Sequence, residues 1–400
     1  MDLRGPVIVG GGLGGLTAAL SLAGHGMSVR VLEGAPEFGA IGFGIQFGPN
    51  VFHALDRIGL SEAVREKADS PPAVLMLDAL SGREVTRVPT GASFRQRFKH
   101  PYIVIHRVDL HDILVEACRR NPLIELVDGA MVTGFDERGD NVAAMTEDGR
   151  NFTATALIGA DGIRSRIRAQ LFNDGEALPN GFMGFRTIVP MSEVTSDVRR
   201  DIVALWGGPG FHIVHYPLRH GTLSNIVAVF RRSAHSERSD VAAYRAELEH
   251  VYREAHPTMK ALLAMLDLDR RQAIGDRDPI RHWHRGRVVL LGDAAHPTLQ
   301  SLAQGACMAM EDGICLGDCM AEADGDYKAA FRRYESARSV RTARVTLESR
   351  SIWNIYHADG IAREVYWQML GERSEADTFQ CLAWLYDGFR LADDTAAERL

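Results

Sequence analysis

The glycine spacing near the start of the chain restricts its possible folds more than any other feature. Residues 6–33 read PVIVGGGLGGLTAALSLAGHGMSVRVLE: an apolar run, a turn with Gly10, Gly12 and Gly15, a small-residue helix, a second apolar run and Glu33. Strand, turn, helix, strand is the opening of a doubly wound α/β fold. The first glycine permits the tight turn, the second lets backbone approach a pyrophosphate, and the third lets helix and strand pack closely. The helix N-terminus presents free N–H donors and partial positive charge to phosphates. A carboxylate closing the second strand can take the ribose hydroxyls. The pattern predicts dinucleotide binding, with NAD and FAD both compatible and a ribose 2′-phosphate disfavoured by the acid. The competing explanation is a glycine-rich turn with a purely structural role.

The chain has 400 residues, enough for two domains or for one with a large insertion. At 46% hydrophobic and 24% charged residues it has the balance of a folded globular protein. A net charge of −7 without a long basic run gives no reason to expect nucleic acid or an anionic membrane as partner. No apolar run reaches transmembrane length, and the N-terminus enters the glycine turn without a signal-peptide pattern. Cys118, Cys307, Cys315, Cys319 and Cys381 are too scattered for a disulfide framework. They read as reduced thiols, and the expected location is the cytoplasm.

Further along, VFHALDRIGL marks a second helix, HRVDLHDILVEACRR an amphipathic helix, and IELVDG and NFTATALIGADG strands returning to the first sheet. β-rich stretches interrupt this pattern twice, at about 74–98 and again from about 180, and the last hundred residues read as helical. The predicted fold class is α/β, α+β overall. A Rossmann-like nucleotide-binding domain is assembled from 1–73, 99–178 and 275–325. An antiparallel β-sheet substrate domain comes from 74–98 and 179–274, and 326–400 form a helical C-terminal region.

A second glycine–aspartate stretch bears on the choice of cofactor. RVVLLGDAAHPTLQSLAQGACMAMED holds a strand, Gly292-Asp293, a turn and a helix beginning near Gly305. A strand-end aspartate beside a helix N-terminus suits a sugar or ribityl chain. A simple NAD-dependent dehydrogenase has no need of such a distant second contact, whereas a flavin spanning the molecule does. Between the two lies ALIGADGIRSRIR, where a strand meets Asp161-Gly162.

These three motifs, in this order, resemble the group A FAD-dependent aromatic hydroxylases over essentially the whole chain. The resemblance implies that Glu33 binds the adenosine ribose and that Asp293 contacts the ribityl–pyrophosphate region. It also implies that the Asp161-Gly162 turn supports flavin and nicotinamide binding, and that Arg107 in HRVDLHDIL lies near the flavin. NADH, or alternatively NADPH, would dock transiently as reductant, and the C-terminal helices would supply a homodimer face. Two positions depart from the common pattern. Gln300 stands where many members have proline, and Cys307 replaces an asparagine whose amide often helps hold the flavin pyrimidine.

The strand FHIVHYPL raises the question of substrate. Alternation puts His212, Val214 and Tyr216 on one face and Phe211, Ile213 and His215 on the other. Taken alone, such a strand favours satisfied core residues. Together with HPTLQ it is similar to the 3-hydroxybenzoate 6-hydroxylases, in which positions matching His212, Tyr216 and Gln300 line the active site. The resemblance then implies para-hydroxylation of 3-hydroxybenzoate to gentisate through a flavin hydroperoxide. His212 would accept the phenol proton in step with ring attack, because full transfer from a phenol (pKa about 10) to a histidine (about 6.5) is uphill by about 5 kcal/mol. Gln300 would orient the ring and Tyr216 would bind the carboxylate. Arg186, in GFMGFRTIVP, is compatible with a place near the pocket and equally with a solvated or flavin-facing role, and is left outside this catalytic set. The alternatives are a decarboxylating salicylate 1-hydroxylase and a non-hydroxylating FAD-dependent NADH oxidoreductase. No metal site is expected.

Overall fold

The computed structural model describes residues 5–39, 42–232 and 241–389. The chain begins in a six-stranded sheet with the order His284–Arg285, Val288–Leu290, Leu157–Gly159, Val7–Val9, Val29–Leu32, Ile124–Val127. Every pair is parallel except the His284–Arg285 edge. Strands this short and apolar, covered on both faces, are characteristic of a parallel sheet. They come from three separated stretches of chain, as the α/β interruptions led one to expect.

Two helices meet on this sheet. Leu13–Gly24 follows the glycine turn, and Gly305–Glu322 follows the Gly292-Asp293 stretch. Their contact is made of small residues. A Cβ on Gly313 would stand 2.7 Å from the Ala18 nitrogen, and one on Gly317 would stand 2.2 Å from Ser21 Oγ. The alanines and glycines of the first helix therefore serve close packing against another helix, and the two N-termini are brought side by side.

The second large sheet has seven strands, in the order Arg271–Asp276, Leu178–Pro190, Leu223–Arg231, Phe211–Leu218, Val203–Gly208, Ala73–Asp78, Glu84–Pro89. Its pairs are antiparallel with one exception: Val203–Gly208 runs parallel to Ala73–Asp78. That join is where the early β segment inserts beside the later one, so the sheet is mixed. The stretch 151–162 also differs from a single strand. Asn151–Ala154 closes a three-stranded antiparallel unit with Val132–Arg138 and Asn141–Thr146, and only Leu157–Gly159 enters the parallel sheet. A two-stranded ribbon, Gly44–Phe47 with Ile103–His106, lies between the large sheets. Gly44 N–H donates to Asn225 Oδ1 of the seven-stranded sheet at 2.8 Å.

Of the C-terminal helices, Tyr327–Tyr356 packs on Gly305–Glu322 and reaches both large sheets, at Val203–Gly208 and at the Leu290 carbonyl. Gly360–Gly371 and Glu375–Tyr386 pack on the Glu84–Pro89 edge. The expected helical region ran to residue 400, and 390–400 lie outside the described residues. The long helix is anchored by Arg338, which is fully buried. Its Nε donates to Asp312 Oδ1 at 2.7 Å and its Nη1 to Glu311 Oε2 at 2.6 Å. Arg341 donates to both oxygens of Glu311. Burial opposes charge on Asp312, but His296 and Arg338 outweigh it and hold the carboxyl at about 2, below its ordinary 3.8. A carboxyl depressed in this way contributes stability that is complete above the unfolded value and lost as pH falls through the folded one.

Replacing Arg338 with Met should cost about 3–5 kcal/mol, because Glu311 and Asp312 lose the buried guanidinium they share and keep only Arg341 and His296 as their respective partners. The drop should be read as a lowered thermal midpoint at neutral pH. In the wild type, the stability that Asp312 contributes should be complete above pH 3.8 and fade as pH falls toward 2.

Candidate active site

A cavity of about 940 Å³ runs between the two sheets. One end is the glycine turn, where Gly12 and Gly15 line it, and it continues past Ala160 and Gly162 to Leu291, Gly292 and Asp293. It then follows the start of the Gly305–Glu322 helix to Gln300, Arg186, Tyr216 and His212. Arg107 opens onto the same space from the start of the Arg107–Arg120 helix.

The backbone at the first end is shaped for a large anion. Gly10 has φ +110°, a conformation that glycine adopts freely. A Cβ on Gly15 would fall 2.1 Å from the Gly10 carbonyl, whereas a Cβ on Gly12 would meet nothing within 4 Å. Gly12 is therefore the open position where another molecule can approach the backbone. The helix that follows has no side-chain cap and no acid in its first turn, so its leading N–H groups keep their donors and positive field for a ligand. The Gly305–Glu322 helix likewise starts without a side-chain cap or an acid. Glu33 accepts N–H bonds from Gly11 and Ala35, both at 2.8 Å. A carboxylate has about four acceptor positions, so it retains capacity for ribose hydroxyls.

Gly10 and Glu33 buttress the turn and are not in the cavity wall. Asp161 is placed differently from the sequence-based expectation of a cofactor contact. Its oxygens accept from Ser165 Oγ at 2.5 Å and from Arg166 N at 2.8 Å, so the side chain caps its own helix, and Gly162 faces the cavity instead. Arg168, one turn further and buried, donates to the carbonyls of Ala294 and Ala295 at 3.1 and 2.8 Å. The Asp-Gly motif thus braces the Gly-Asp turn. Asp293 is exposed where it opens to the cavity, with the surrounding protein close about its carboxyl. Burial raises its pKa, against the nearby charges of His296 and Arg107. Cys307 is fully buried and outside the cavity wall, its thiol pKa raised by burial. The amide absent at that position has no substitute there, although Gln46 and Gln304 both line the cavity.

At the far end, strand alternation acts as its period requires. His212, Val214 and Tyr216 face the cavity, while Phe211 and Ile213 belong to the apolar core on the other side. His215, on that second face, is buried with its pKa lowered to about 4. Burial raises the Tyr216 phenol against the field of Arg186, and lowers His212 well below the ordinary histidine value with His357 adding to the effect. Both side chains are neutral at physiological pH. Arg186 is the residue that sequence reasoning left out. Its Nη2 donates to Gln300 Oε1 at 2.7 Å, and no carboxylate pairs with it among the described residues. Burial lowers its pKa, with Arg107 adding to the effect against Tyr216. A half-buried cation with no acidic partner among the described residues is costly unless a ligand anion meets it, a signal that only the assembled fold carries.

Fold and cavity together define a flavin-dependent enzyme. Residues 6–349 match the model of the FAD binding domain family, to which the chain belongs. Within it, the chain is a group A FAD-dependent aromatic hydroxylase. It is 41% identical to the 3-hydroxybenzoate 6-hydroxylase of Polaromonas naphthalenivorans (strain CJ2) over 95% of each chain. It is 39% identical to the 3-hydroxybenzoate 6-hydroxylase of Klebsiella oxytoca, over 95% of this chain and 96% of that one. Among solved structures, Klebsiella pneumoniae HpxO complexed with FAD and uric acid superposes with a TM-score of 0.84 at 26% identity, covering 96% of this chain and 97% of that one. No helix among the described residues is long and apolar enough to cross a membrane, and no cluster of potential metal ligands is present among them.

The open Gly12 position, the two uncapped helix N-termini and the cavity volume of about 940 Å³ fit FAD. Gly15→Ala should therefore displace the turn and abolish FAD retention. Flavin absorbance per protein after gel filtration should fall at least tenfold, while far-ultraviolet circular dichroism remains that of the wild type.

Proposed function

We propose that this enzyme converts 3-hydroxybenzoate to gentisate with NADH and O2. One oxygen atom enters the ring para to the hydroxyl and the other leaves as water. The observation that carries the reading is a single cavity joining the nucleotide-shaped glycine turn to a wall of His212, Tyr216, Gln300 and Arg186. The names of the relatives above support the choice of substrate. When bound, FAD supplies the redox chemistry, taking reducing equivalents from NADH and activating O2.

Gly12, Gly15, Glu33, Arg107, Gly292, Asp293 and Gly305 would hold the cofactor, with Gly10 and Asp161 supporting the turns. Arg186 would meet the substrate carboxylate together with the Tyr216 hydroxyl. Gln300, hydrogen-bonded to Arg186, would fix the ring against that anchor. His212 then faces the phenol. Its lowered pKa makes full proton transfer even more uphill than for an ordinary histidine, so it would draw the phenol proton only as charge flows into the ring. The guanidinium in the same enclosed space favours that build-up of negative charge. The same flow activates carbon 6 of 3-hydroxybenzoate, which is para to the hydroxyl, along with the two ortho carbons, and the anchoring by Arg186 and Gln300 would select carbon 6. The C-terminal helices would supply a homodimer face.

Aerobic turnover with NADH and separate monohydroxybenzoates should yield gentisate from 3-hydroxybenzoate. Catechol from salicylate as the favoured reaction would instead identify a decarboxylating 1-hydroxylase, and NADH oxidation indifferent to every aromatic would identify a reductase. His212→Ala should keep FAD but turn most NADH oxidation into peroxide release, with product formation falling by about 10²–10⁴. Undiminished product yield would refute its role. Arg186→Gln should raise KM for 3-hydroxybenzoate about 10- to 100-fold, the loss of one charge-assisted contact. Because burial and His357 hold His212 neutral below pH 6.5, kcat/KM should show no acidic limb at that value.

A further inference from the structure

Beneath the cavity wall, His212 touches a second histidine. His357 terminates the Tyr327–Tyr356 helix and is buried. Its Nδ1 lies 2.7 Å from the Trp353 carbonyl, and its Nε2 lies 2.8 Å from His212 Nδ1. These contacts determine where the ring protons sit. A carbonyl can only accept, so His357 Nδ1 carries hydrogen. The ring is neutral, because burial pushes it down to about 4 with the nearby charge of Arg231 adding to the effect, although the Trp353 carbonyl pulls the other way. Its Nε2 is therefore a bare acceptor. Two lone pairs cannot face one another at this distance, so His212 Nδ1 must hold a hydrogen, which leaves His212 Nε2 without one.

We infer that His357 is a positioning residue that locks His212 in the tautomer whose Nε2 accepts a proton from the cavity side. In the opposite tautomer His212 would present N–H to the substrate and could not take a proton. The arrangement is that of a base oriented by a third group, with a neutral histidine and a helix-end carbonyl as the orienting pair. Trp353 lies 4.8 Å from the His357 ring and 5.3 Å from the His212 ring, centroid to centroid, and Phe182 lies 4.5 Å from His357, so neither imidazole is free to turn over. The Gly210 N–H donates to the His357 carbonyl at 3.2 Å, tying the start of the His212 strand to the same helix end. The proton that His212 would accept depends on the hydroxybenzoate reading, whereas the tautomer does not.

Two variants and one measurement without substrate test the inference. His357→Phe keeps a ring in the site but offers no acceptor, whereas the Gln in His357→Gln can accept from His212 and donate to Trp353. In the Phe variant, kcat for coupled hydroxylation should fall about 10- to 100-fold, less than removing the base outright. KM should stay within about twofold, FAD content should be unchanged and peroxide release should increase. The Gln variant should recover most of the lost kcat. Undiminished coupled turnover in the Phe variant, or a Gln variant no better than Phe, overturns the inference. Separately, ¹⁵N-histidine spectra of the holoenzyme should show His212, assigned by its loss in His212→Ala, with hydrogen on Nδ1 and none on Nε2. A hydrogen on Nε2 overturns the assignment whatever the substrate proves to be. A wild type that makes no gentisate yet shows the Nδ1–H form would defeat the substrate reading and leave the tautomer standing.

Discussion

The buried guanidinium of Arg338 is the interaction on which the assembly depends. It lies where the long C-terminal helix crosses the Gly305–Glu322 helix, and it faces Glu311 and Asp312 from one point. The same Asp312 accepts from His296 at 2.5 Å and from the Gly292 backbone N–H at 3.1 Å. Glu311 accepts from Asn50, which also donates to Gln304 at the cavity wall. One charge cluster therefore fixes the turn that carries Asp293, the cap position of the helix behind it and the helix that ends at His357. Buried ion pairs are weak contributors to net stability, but they tolerate few alternative geometries. Here that intolerance holds the two ends of the cavity at a set separation.

The cavity inherits its polarity from this arrangement. Two helix N-termini and four arginines face it; Arg344 is paired with Glu348, and Asp293 is the other carboxylate among the described residues of the wall. A cleft with surplus positive potential suits ligands bearing a pyrophosphate and a benzoate. It also explains why Arg186 has no acidic partner among the described residues. A protein carboxylate there would satisfy the guanidinium permanently and compete with any acid that entered.

The parts of this design that sequence made legible are the local ones. The Gly10–Gly15 turn with Glu33 is written in consecutive residues whose types have few other uses. The orientation of His212 and Tyr216 follows from a period of two along a single strand. What could not be read depends on partners distant in sequence. The ribbon of Gly44–Phe47 and Ile103–His106 is four residues on each side, too short to show a period, and it is held by Asn225. The parallel join between Val203–Gly208 and Ala73–Asp78 has no local signature either. Asp161 was legible as a motif but not in its direction, since an aspartate at a strand end can serve a ligand or cap the following helix. Ser165 and the free N–H groups of the Arg166–Phe172 helix decide for the cap.

Arg186 and His357 escaped for a deeper reason. Each acquires its significance from the absence or presence of one group in another element: no carboxylate opposite Arg186 among the described residues, and a carbonyl opposite His357 Nδ1. The two are complementary. A cation near the substrate end favours negative charge on whatever enters, and a neutral, hydrogen-bonded imidazole keeps an unprotonated nitrogen available in a place too dry to create one on demand. Were His212 exposed, water would set its tautomer and its charge would follow pH near 6.5. Burial beside a second neutral histidine removes both freedoms, at the cost of basicity. That cost is tolerable only if the proton moves together with ring attack, so the depth of the imidazole pair and the concerted character of the proposed proton transfer are one constraint.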